Sequence, residues 1–505
     1  MISEHYHTIV VGAGPGGSAA AAFLAQKGWR VLLIDKATFP RDKVCGDFIS
    51  PRSLRVLQAL GCSHAIERAA PNRLNAASLY LNGEKITAGK IPQVGNLPDY
   101  GYTLPRLRFD EIVFRQAQAS GVETIEACEV KNITFSKTGV EVIAQKEGKP
   151  YRFNSRLLIG ADGAHSTVAR ILGAPVHNSK NTIIALRAYF DGVRGDPQQA
   201  DLFFDASYFP GYAWIFPLGN GRANVGLGMA QDVYKNHDIN LRQRMLDWIE
   251  YDPIARQRLE GARMDGRITG WPLNTYRSSG GNFFERVLLI GDAASFVDPI
   301  NGEGIHTALE SARIAAQVAD EALKADDFSS AFLARYEKEW RAAFDLDLRT
   351  ADFIVTIIKN RSLTGVWLLI LKMIGEKALN DPNYAATCGG ILAGVIPTSQ
   401  SLTPSIVIKT LLHGPRFWQR SLNIPLAEGP LGLLNFGLAT ASKTLDAFSQ
   451  MASQPRETVG WGVEVAAKAG GVLNGFSQNY SVERMVDVFN EFFQAWLTQI
   501  IKSQE

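Results

Sequence analysis

Cysteine is scarce in this 505-residue chain: there are four, Cys45, Cys62, Cys128 and Cys388, widely scattered. That scatter argues against a disulfide framework and suits a reducing compartment. No Cys/His group has metal-ligand spacing, so no metal site is expected. Charge of one sign is also missing. Lys and Arg number 52 against 50 Asp and Glu, a formal net charge of +2, and there is no basic block. A nucleic-acid binder held by phosphate neutralisation is therefore not expected. Long apolar runs are absent too. The longest in the C-terminal half, Val366 to Leu371, breaks at Lys372, far short of the roughly 18 residues of a spanning helix. The N-terminus runs straight into an apolar strand pattern with no charged leader, so no secretory signal is expected. A cytoplasmic protein, with peripheral membrane contact as the variant, is the expectation. The remainder, 46% hydrophobic and 20% charged, is a globular composition, and the length calls for two or three domains.

Glycine, by contrast, is plentiful and placed. An apolar run, Thr8 to Val11, enters Gly12-Ala13-Gly14-Pro15-Gly16-Gly17, and a second run, Val31 to Ile34, ends at Asp35. This reads as strand, glycine turn, helix, strand. In the spacing Gly12-x-Gly14-x-x-Gly17, the first glycine permits the tight turn, the second lets the backbone approach a pyrophosphate, and the third lets the helix pack closely on the sheet. Pro15 suits the first helical position, and the helix N-terminus offers free N–H groups to phosphate. Asp35 stands where a carboxylate accepts from the ribose hydroxyls of an adenosine, with Lys36 beside it.

Further along, Lys36 to Leu54 reads as a loop, with Ser50 capping a helix that starts at Pro51; Cys45-Gly46-Asp47 then lies on a turn at the ligand side of the sheet. Ala77 to Leu81 and Lys85 to Ala88, joined by Asn82-Gly83, predict a hairpin that opens a second, antiparallel sheet. Arg106-x-x-Phe109-Asp110 opens an amphipathic helix to about Ser120. Glu123 to Val130 reads as a parallel strand, and Ile133 to Phe135, Val140 to Ala144 and Tyr151 to Phe153 as a small antiparallel meander. Leu157 to Ile159 is a buried strand that ends in Gly160-Ala161-Asp162-Gly163, with a helix from Ser166. From about Asn181 to Thr269 the period is that of strands, and aromatics crowd between Phe203 and Phe216. About half read as sheet core and the rest as the lining of an apolar pocket. Last, Val287 to Ile290 is a strand ended by Gly291-Asp292, followed by a loop with Pro299, Gly302 and Gly304 and a helix from Ile305. A carboxylate, a glycine loop and a helix start form a second ligand-binding end.

Together, the glycine turn with Asp35, Arg106-x-x-Phe109-Asp110, Gly160 to Gly163 through Arg170, and Gly291-Asp292 through Gly304 resemble the FAD-binding oxidoreductases of para-hydroxybenzoate hydroxylase fold, over roughly Thr8 to Ser330. The resemblance implies an α/β protein with a Rossmann-type FAD-binding domain (1–75, 100–178 and 275–343) and an antiparallel-sheet substrate domain (76–99 and 179–274); the residues beyond it read as a mostly helical C-terminal region (344–505). It also implies FAD contacts from Gly12, Gly14, Gly17, Asp35, Lys36, Arg106, Asp162, Asp292, Pro299, Gly302, Gly304 and Ile305. Within that group, Phe39-Pro40-Arg41-Asp42-Lys43-Val44-Cys45-Gly46-Asp47, Gly211-Tyr212-Ala213-Trp214-Ile215-Phe216-Pro217 and Asp298 through Ile305 are similar to the geranylgeranyl reductase family. That likeness implies that Tyr212, Trp214 and Phe216 line a lipid cavity and that Cys45 lies by the flavin ring. Flavin halogenases carry a related Trp-x-Trp-x-Ile-Pro stretch; Trp214 matches its second tryptophan, while Tyr212 and Phe216 depart from it and no matching active-site lysine is found.

The expected function is reduction of C=C bonds of an isoprenoid or other apolar lipid by hydride from flavin N5, with Cys45, Tyr212 and His306 as candidate proton donors or substrate positioners. NAD(P)H or ferredoxin would reduce the flavin; a single GxGxxG leaves no second resident nucleotide site. The competing reading is a monooxygenase or other oxygen-using flavoenzyme, halogenase-like included. Beyond Ala343 the likeness fades. Helices are predicted over Phe344 to Asn360, Thr364 to Leu379, Ser405 to His413, Pro430 to Met451, Glu464 to Gly475 and Ser481 to Lys502. The apolar stripe of the last is suited to docking on the body, to a dimer contact, to a lid over a lipid pocket or to a membrane surface.

Overall fold

The first strand, His5–Val11, is the centre of a mostly parallel sheet, and its last residues are buried on both faces. In the computed structural model, which describes residues 5–69, 72–174, 179–278, 281–403, 455–479 and a few positions between 406 and 413, that sheet runs Phe283–Phe284, Val287–Leu289, Lys149–Gly160, His5–Val11, Val31–Ile34, Glu123–Ile125. All but Phe283–Phe284 are parallel. Pro15–Gln26 and Ile305–Ala325 pack against each other, so the two helices that begin at the glycine loops share one layer.

Two sequence expectations need correcting in this sheet. Glu123 to Val130 is not one strand: Ala127 takes φ 55° and turns the chain, so Glu123–Ile125 joins the parallel sheet while Cys128–Phe135 starts the antiparallel meander. Conversely, Tyr151 to Phe153 and Leu157 to Ile159 are parts of a single 12-residue strand, Lys149–Gly160. The polar interval stays extended because it is paired on both sides, Ser155 lying between Val140 and Tyr6.

The second sheet runs Arg263–Asn274, Thr182–Asp191, Arg222–Ala230, Tyr212–Gly219, Gln199–Phe204, Ala76–Leu81, Glu84–Lys90. Its outer hairpin turns at Asn82 and Gly83 with φ 49° and 78°, the left-handed pair that the Asn-Gly signal demands. Period-two alternation divides its residues between two faces. On one, Tyr80, Phe203, Ala213, Ile215, Val225 and Leu227 pack with Met245, Trp248 and Leu259. Those last three come from Leu241–Tyr251 and Pro253–Leu259, helices not anticipated in a stretch read as strands. Their start signals were present: Asn240 caps the first, Asp252 caps the second, and Pro253 opens it.

The other face carries Leu79, Leu81, Leu202 and Phe204, continued by Tyr212, Trp214 and Phe216. Leu79 and Leu81 are buried there against Trp367, Leu368 and Leu371 of Thr364–Asn380 and Leu392 of Pro382–Leu392. The second of these helices was not predicted. Upstream, Ser330–Trp340 continues through a π turn, Arg341–Asp345, into Leu346–Ile358. Pro455–Asn479 lies along Leu346–Ile358, joined by Lys468 to Asp352 at 2.9 Å and by Trp461 Nε1 to the Thr356 carbonyl at 2.8 Å. The helices expected at Pro430 to Met451 and Ser481 to Lys502, and most of Ser405 to His413, lie outside the described residues. Among the described residues no single helix is long and apolar enough to cross a membrane, and no His/Cys/Asp/Glu group could hold a metal ion.

Candidate active site

The glycine turn after His5–Val11 is built as its spacing suggests. Gly12 has φ 98°, and a Cβ there would overlap the carbonyl of Ala161; a Cβ on Gly17 would overlap the carbonyl of Gly12. At Gly14 the nearest atom to an added Cβ is the tip of Arg41, 3.5 Å away, so that glycine borders open space. Asp35 Oδ2 accepts from the Ala13 N–H at 2.6 Å and Oδ1 from the Ala37 N–H at 2.7 Å. The carboxylate thus ties the turn to the second strand and retains lone pairs, since each oxygen has two. Lys36 is exposed beside it. Asp162 is engaged differently: it accepts from Ser166 Oγ and from the N–H of Thr167 and Val168, so its carboxylate caps the helix Thr167–Ile171. Its neighbour Ala161 seats Gly12.

From Gly14 a chain of contacts leads to the second sheet. Arg41 pairs with Asp110 at 2.8 Å, and Arg106 grips the same carboxylate with two hydrogen bonds, 2.5 and 2.7 Å, both partners buried. Arg106 faces Cys45, whose thiol is pushed up by burial, against the pull of Arg106. Lys43 Nζ pairs with Asp292 Oδ2 at 3.0 Å, and Asp292 adjoins Gly304, which precedes the N-terminus of Ile305–Ala325. Pro299, which is buried, and Gly302, which is half-buried with φ 70°, shape the loop between. The two ends singled out in the sequence therefore border one continuous site.

The turn Cys45-Gly46-Asp47 is pinned by residues that the sequence did not single out. Asn224 donates to the Cys45 carbonyl at 2.7 Å and to Asp47 Oδ2 at 2.8 Å, while its own Oδ1 accepts from Trp214 Nε1 at 3.0 Å. Tyr189 donates to Asp47 Oδ2 at 2.8 Å, and the Arg106 N–H to Oδ1 at 3.2 Å. Burial nonetheless raises the Asp47 pKa from 3.8 to about 6, since these donors offset desolvation only in part. Arg187 stacks on the Tyr189 ring at 4.1 Å and binds Asp42. Gly46 lies against the Phe216 ring, so the turn presses directly on the aromatic strand. One signal was available: Asn224 interrupts an otherwise apolar strand, Arg222–Ala230, and is fully buried.

Tyr212, Trp214 and Phe216 stand on one face, ring centres 5.8 and 6.1 Å apart in turn. Tyr212 donates its hydroxyl to the Asn301 carbonyl at 2.5 Å, and burial pushes its pKa far above the usual phenol value. Trp214 lies over Gly226. His306 is buried and borders a small cavity with Arg52, Asp298, Asn301 and Glu303; burial and the charges of Arg52 and Arg55 lower its pKa to about 3. Its imidazole is neutral near pH 7, so it carries no acidic proton to give.

Residues 5–345 match the family described as FAD binding domain. The chain is 32% identical over 368 residues to a menaquinone reductase of Mycolicibacterium smegmatis, covering 71% of this chain and 86% of that protein. It is 32% identical over 348 residues to digeranylgeranylglycerophospholipid reductase 2 of Methanopyrus kandleri, covering 67% and 83%. A solved structure of a geranylgeranyl bacteriochlorophyll reductase-like protein from Thermoplasma acidophilum has the same fold, with TM-score 0.66 and 24% identity over 83% of this chain and 99% of that one. Fold, site and matches define an FAD-dependent oxidoreductase. Within that class the chain belongs to the geranylgeranyl reductase family.

Proposed function

We propose that the protein reduces C=C bonds of an isoprenoid or similarly apolar lipid. The observation that carries this reading is the apolar wall of Tyr212, Trp214 and Phe216, continuous with Leu202 and Phe204 and set beside the Cys45 turn, between the FAD end and the C-terminal helices. Relatives named as reductases of menaquinone and of digeranylgeranylglycerophospholipids support it. A substrate of that kind resides in a bilayer, so peripheral contact with a membrane follows from the same reading.

The residues present fit FAD. Open space above Gly14 and the N-terminus of Pro15–Gln26 suit its pyrophosphate, with Arg41 as a counter-charge. Asp35 keeps lone pairs for the adenosine ribose, with Gly12 and Gly17 shaping the turn. Asp292, held by Lys43, suits the hydroxyls or phosphate-linked part of the other half, and the Pro299, Gly302, Gly304 and Ile305 segment presents a helix N-terminus to the flavin ring. Arg106, neutralised by Asp110, orders the Cys45 side of the site, and Asp162 acts through the turn it caps. Bound FAD, once reduced by NAD(P)H or a ferredoxin, supplies a hydride. Cys45 and Tyr212, both held protonated, position the substrate and hold protons beside it; Trp214 and Phe216 exclude water.

Anaerobic incubation of the chemically reduced holoprotein with a polyprenyl lipid tests this. Saturated product formed without O₂ supports the reductase. Product formed only with O₂, and carrying its oxygen, makes the protein a monooxygenase instead.

A further inference from the structure

We propose that Glu303 is the proton reservoir of this site, supplying Tyr212 through a small water-sized space that the C-terminal helical region borders. The proposal rests on the C=C reduction put forward above.

Glu303 sits in the loop Asp298 to Gly304, its N–H donating to Asn301 Oδ1 at 2.8 Å. Its Oε1 is shielded from solvent with no hydrogen-bond partner among the described residues. Its other oxygen fills the space where a Cβ would stand on Gly394, a residue with φ 65° in the turn after Pro382–Leu392. The carboxyl is thus clamped between the flavin-side loop and the C-terminal region. Beside it lies a cavity of about 20 Å³ bordered by Arg52, Asp298, Glu303, His306, Asp347 and Thr398. That is room for one or two waters, with polar partners to hold them.

Groups of both signs face the carboxyl. Arg52 comes from Pro51–Leu60 and is 3.7 Å from Asp347 of Leu346–Ile358, which also accepts from Ser399 at 2.7 Å. Asp298, in the same loop, accepts from the Ile300 N–H at 2.7 Å. His306, from Ile305–Ala325, is neutral, and Ser50 faces Glu303 from the cap of Pro51–Leu60. Burial, reinforced by Asp298, raises the Glu303 pKa to about 7 against the opposing pull of Ser50 and Arg52, so near neutral pH the group both holds and releases a proton. Tyr212 completes the path. Its hydroxyl donates to the carbonyl of Asn301, a residue that itself borders the cavity two positions from Glu303, and it lies within electrostatic reach of Asp298, Glu303 and Cys45.

In the reaction, the C=C π bond breaks and two C–H bonds form. One hydrogen arrives with both electrons as hydride from reduced FAD. The other is a proton that leaves the Glu303 carboxyl and reaches the alkene by way of cavity water and the Tyr212 hydroxyl. The carboxylate then regains a proton from solvent, and the nicotinamide or ferredoxin donor restores the two electrons.

The test compares wild type, Glu303→Gln and Glu303→Asp. Infrared titration of the FAD-free and FAD-loaded proteins is expected to show a protonated-carboxyl band that disappears as pH passes about 7 and is missing from Glu303→Gln. FAD retention and dithionite reduction of the flavin are expected to match wild type in all three. C=C reduction is expected to fall about 100-fold in Glu303→Gln, with its pH limb near neutrality lost, and to recover partly in Glu303→Asp. Saturated product formed by Glu303→Gln at the wild-type rate with an unchanged pH limb, or a persisting band, overturns the proposal alone. Product that wild type makes only with O₂ overturns the reductase reading and the proposal together.

Discussion

Removing the Asn224 side chain tests how the Cys45 turn is held against the aromatic strand. In Asn224→Ala the Trp214 N–H and the Cys45 carbonyl both lose their partner in a closed environment, while Asp47 Oδ2 keeps only Tyr189. Each buried group left unpaired costs about 1–3 kcal/mol, so the substitution is expected to destabilise by about 2–5 kcal/mol. The penalty should depend on pH, because Asp47 loses one of its donors. Its folded pKa, about 6, lies above the ordinary 3.8, so the folded state binds the proton more tightly than the unfolded chain. Stability from this group is therefore present below about pH 4 and lost as pH rises through about 6, with an upper limit of about 3 kcal/mol at ~1.36 kcal/mol per pKa unit. Without the Asn224 donor the folded pKa rises further, which makes the loss at pH 8 larger than at pH 5. A chain with several sheets and helical layers need not unfold in one step, so the quantity to measure is the midpoint of the transition reported by tryptophan fluorescence in urea, at both pH values. A shift worth less than about 0.5 kcal/mol, or one equal at pH 5 and pH 8, would refute the reasoning.

The glycines of the first turn should separate into two kinds. Gly17→Ala places a Cβ on the Gly12 carbonyl and is expected to abolish soluble folded protein, whereas Gly14→Ala meets only the tip of Arg41 and should fold with an unchanged far-ultraviolet spectrum yet lose FAD on gel filtration; equal FAD content in Gly14→Ala and wild type would contradict the assignment. Leu368, 6% exposed between the second sheet and Thr364–Asn380, should cost about 2–5 kcal/mol when cut to alanine, read as a lowered melting temperature, with substrate affinity falling more than FAD affinity.

What was legible in the sequence was local. The turn at Gly12, the cap at Ser50 and the hairpin at Asn82-Gly83 each follow from residues within a few positions of one another, and each has the backbone that its residue types require. The break at Ala127 was not legible, because a left-handed alanine leaves no compositional mark. The helices at 241–259 were hidden by the strand period on either side, although their caps could have been read. The second half of the site was illegible for a different reason. Asn224 and Asp47 are 177 residues apart, and no spacing rule connects a polar residue in one strand to a turn in another domain's sheet. The i,i+4 spacing of Arg106 and Asp110 is a local signal, but the reach of Arg41 to the same buried carboxylate is hidden in the same way.

The C-terminal helices, the part of the chain where the likeness to known motifs runs out, have the strongest claim on substrate choice. Leu79, Leu81, Leu202 and Phe204 form an apolar face that water would meet if Thr364–Asn380 and Pro382–Leu392 were absent. The turn after those helices reaches the flavin-side loop, where Gly394 receives the Glu303 carboxyl, and Val395 packs with Ile91 and Leu97 beside Phe48, whose ring is 6.4 Å from Phe216. One short segment, 364–396, therefore covers the sheet and borders both the polar cavity and the aromatic strand. On the assignment proposed above, the FAD end is constrained by the shape of its ligand at Gly12, Gly14 and Asp35. The helical cover has no such constraint, so changes in its side chains can reshape the cavity while leaving the cofactor site intact.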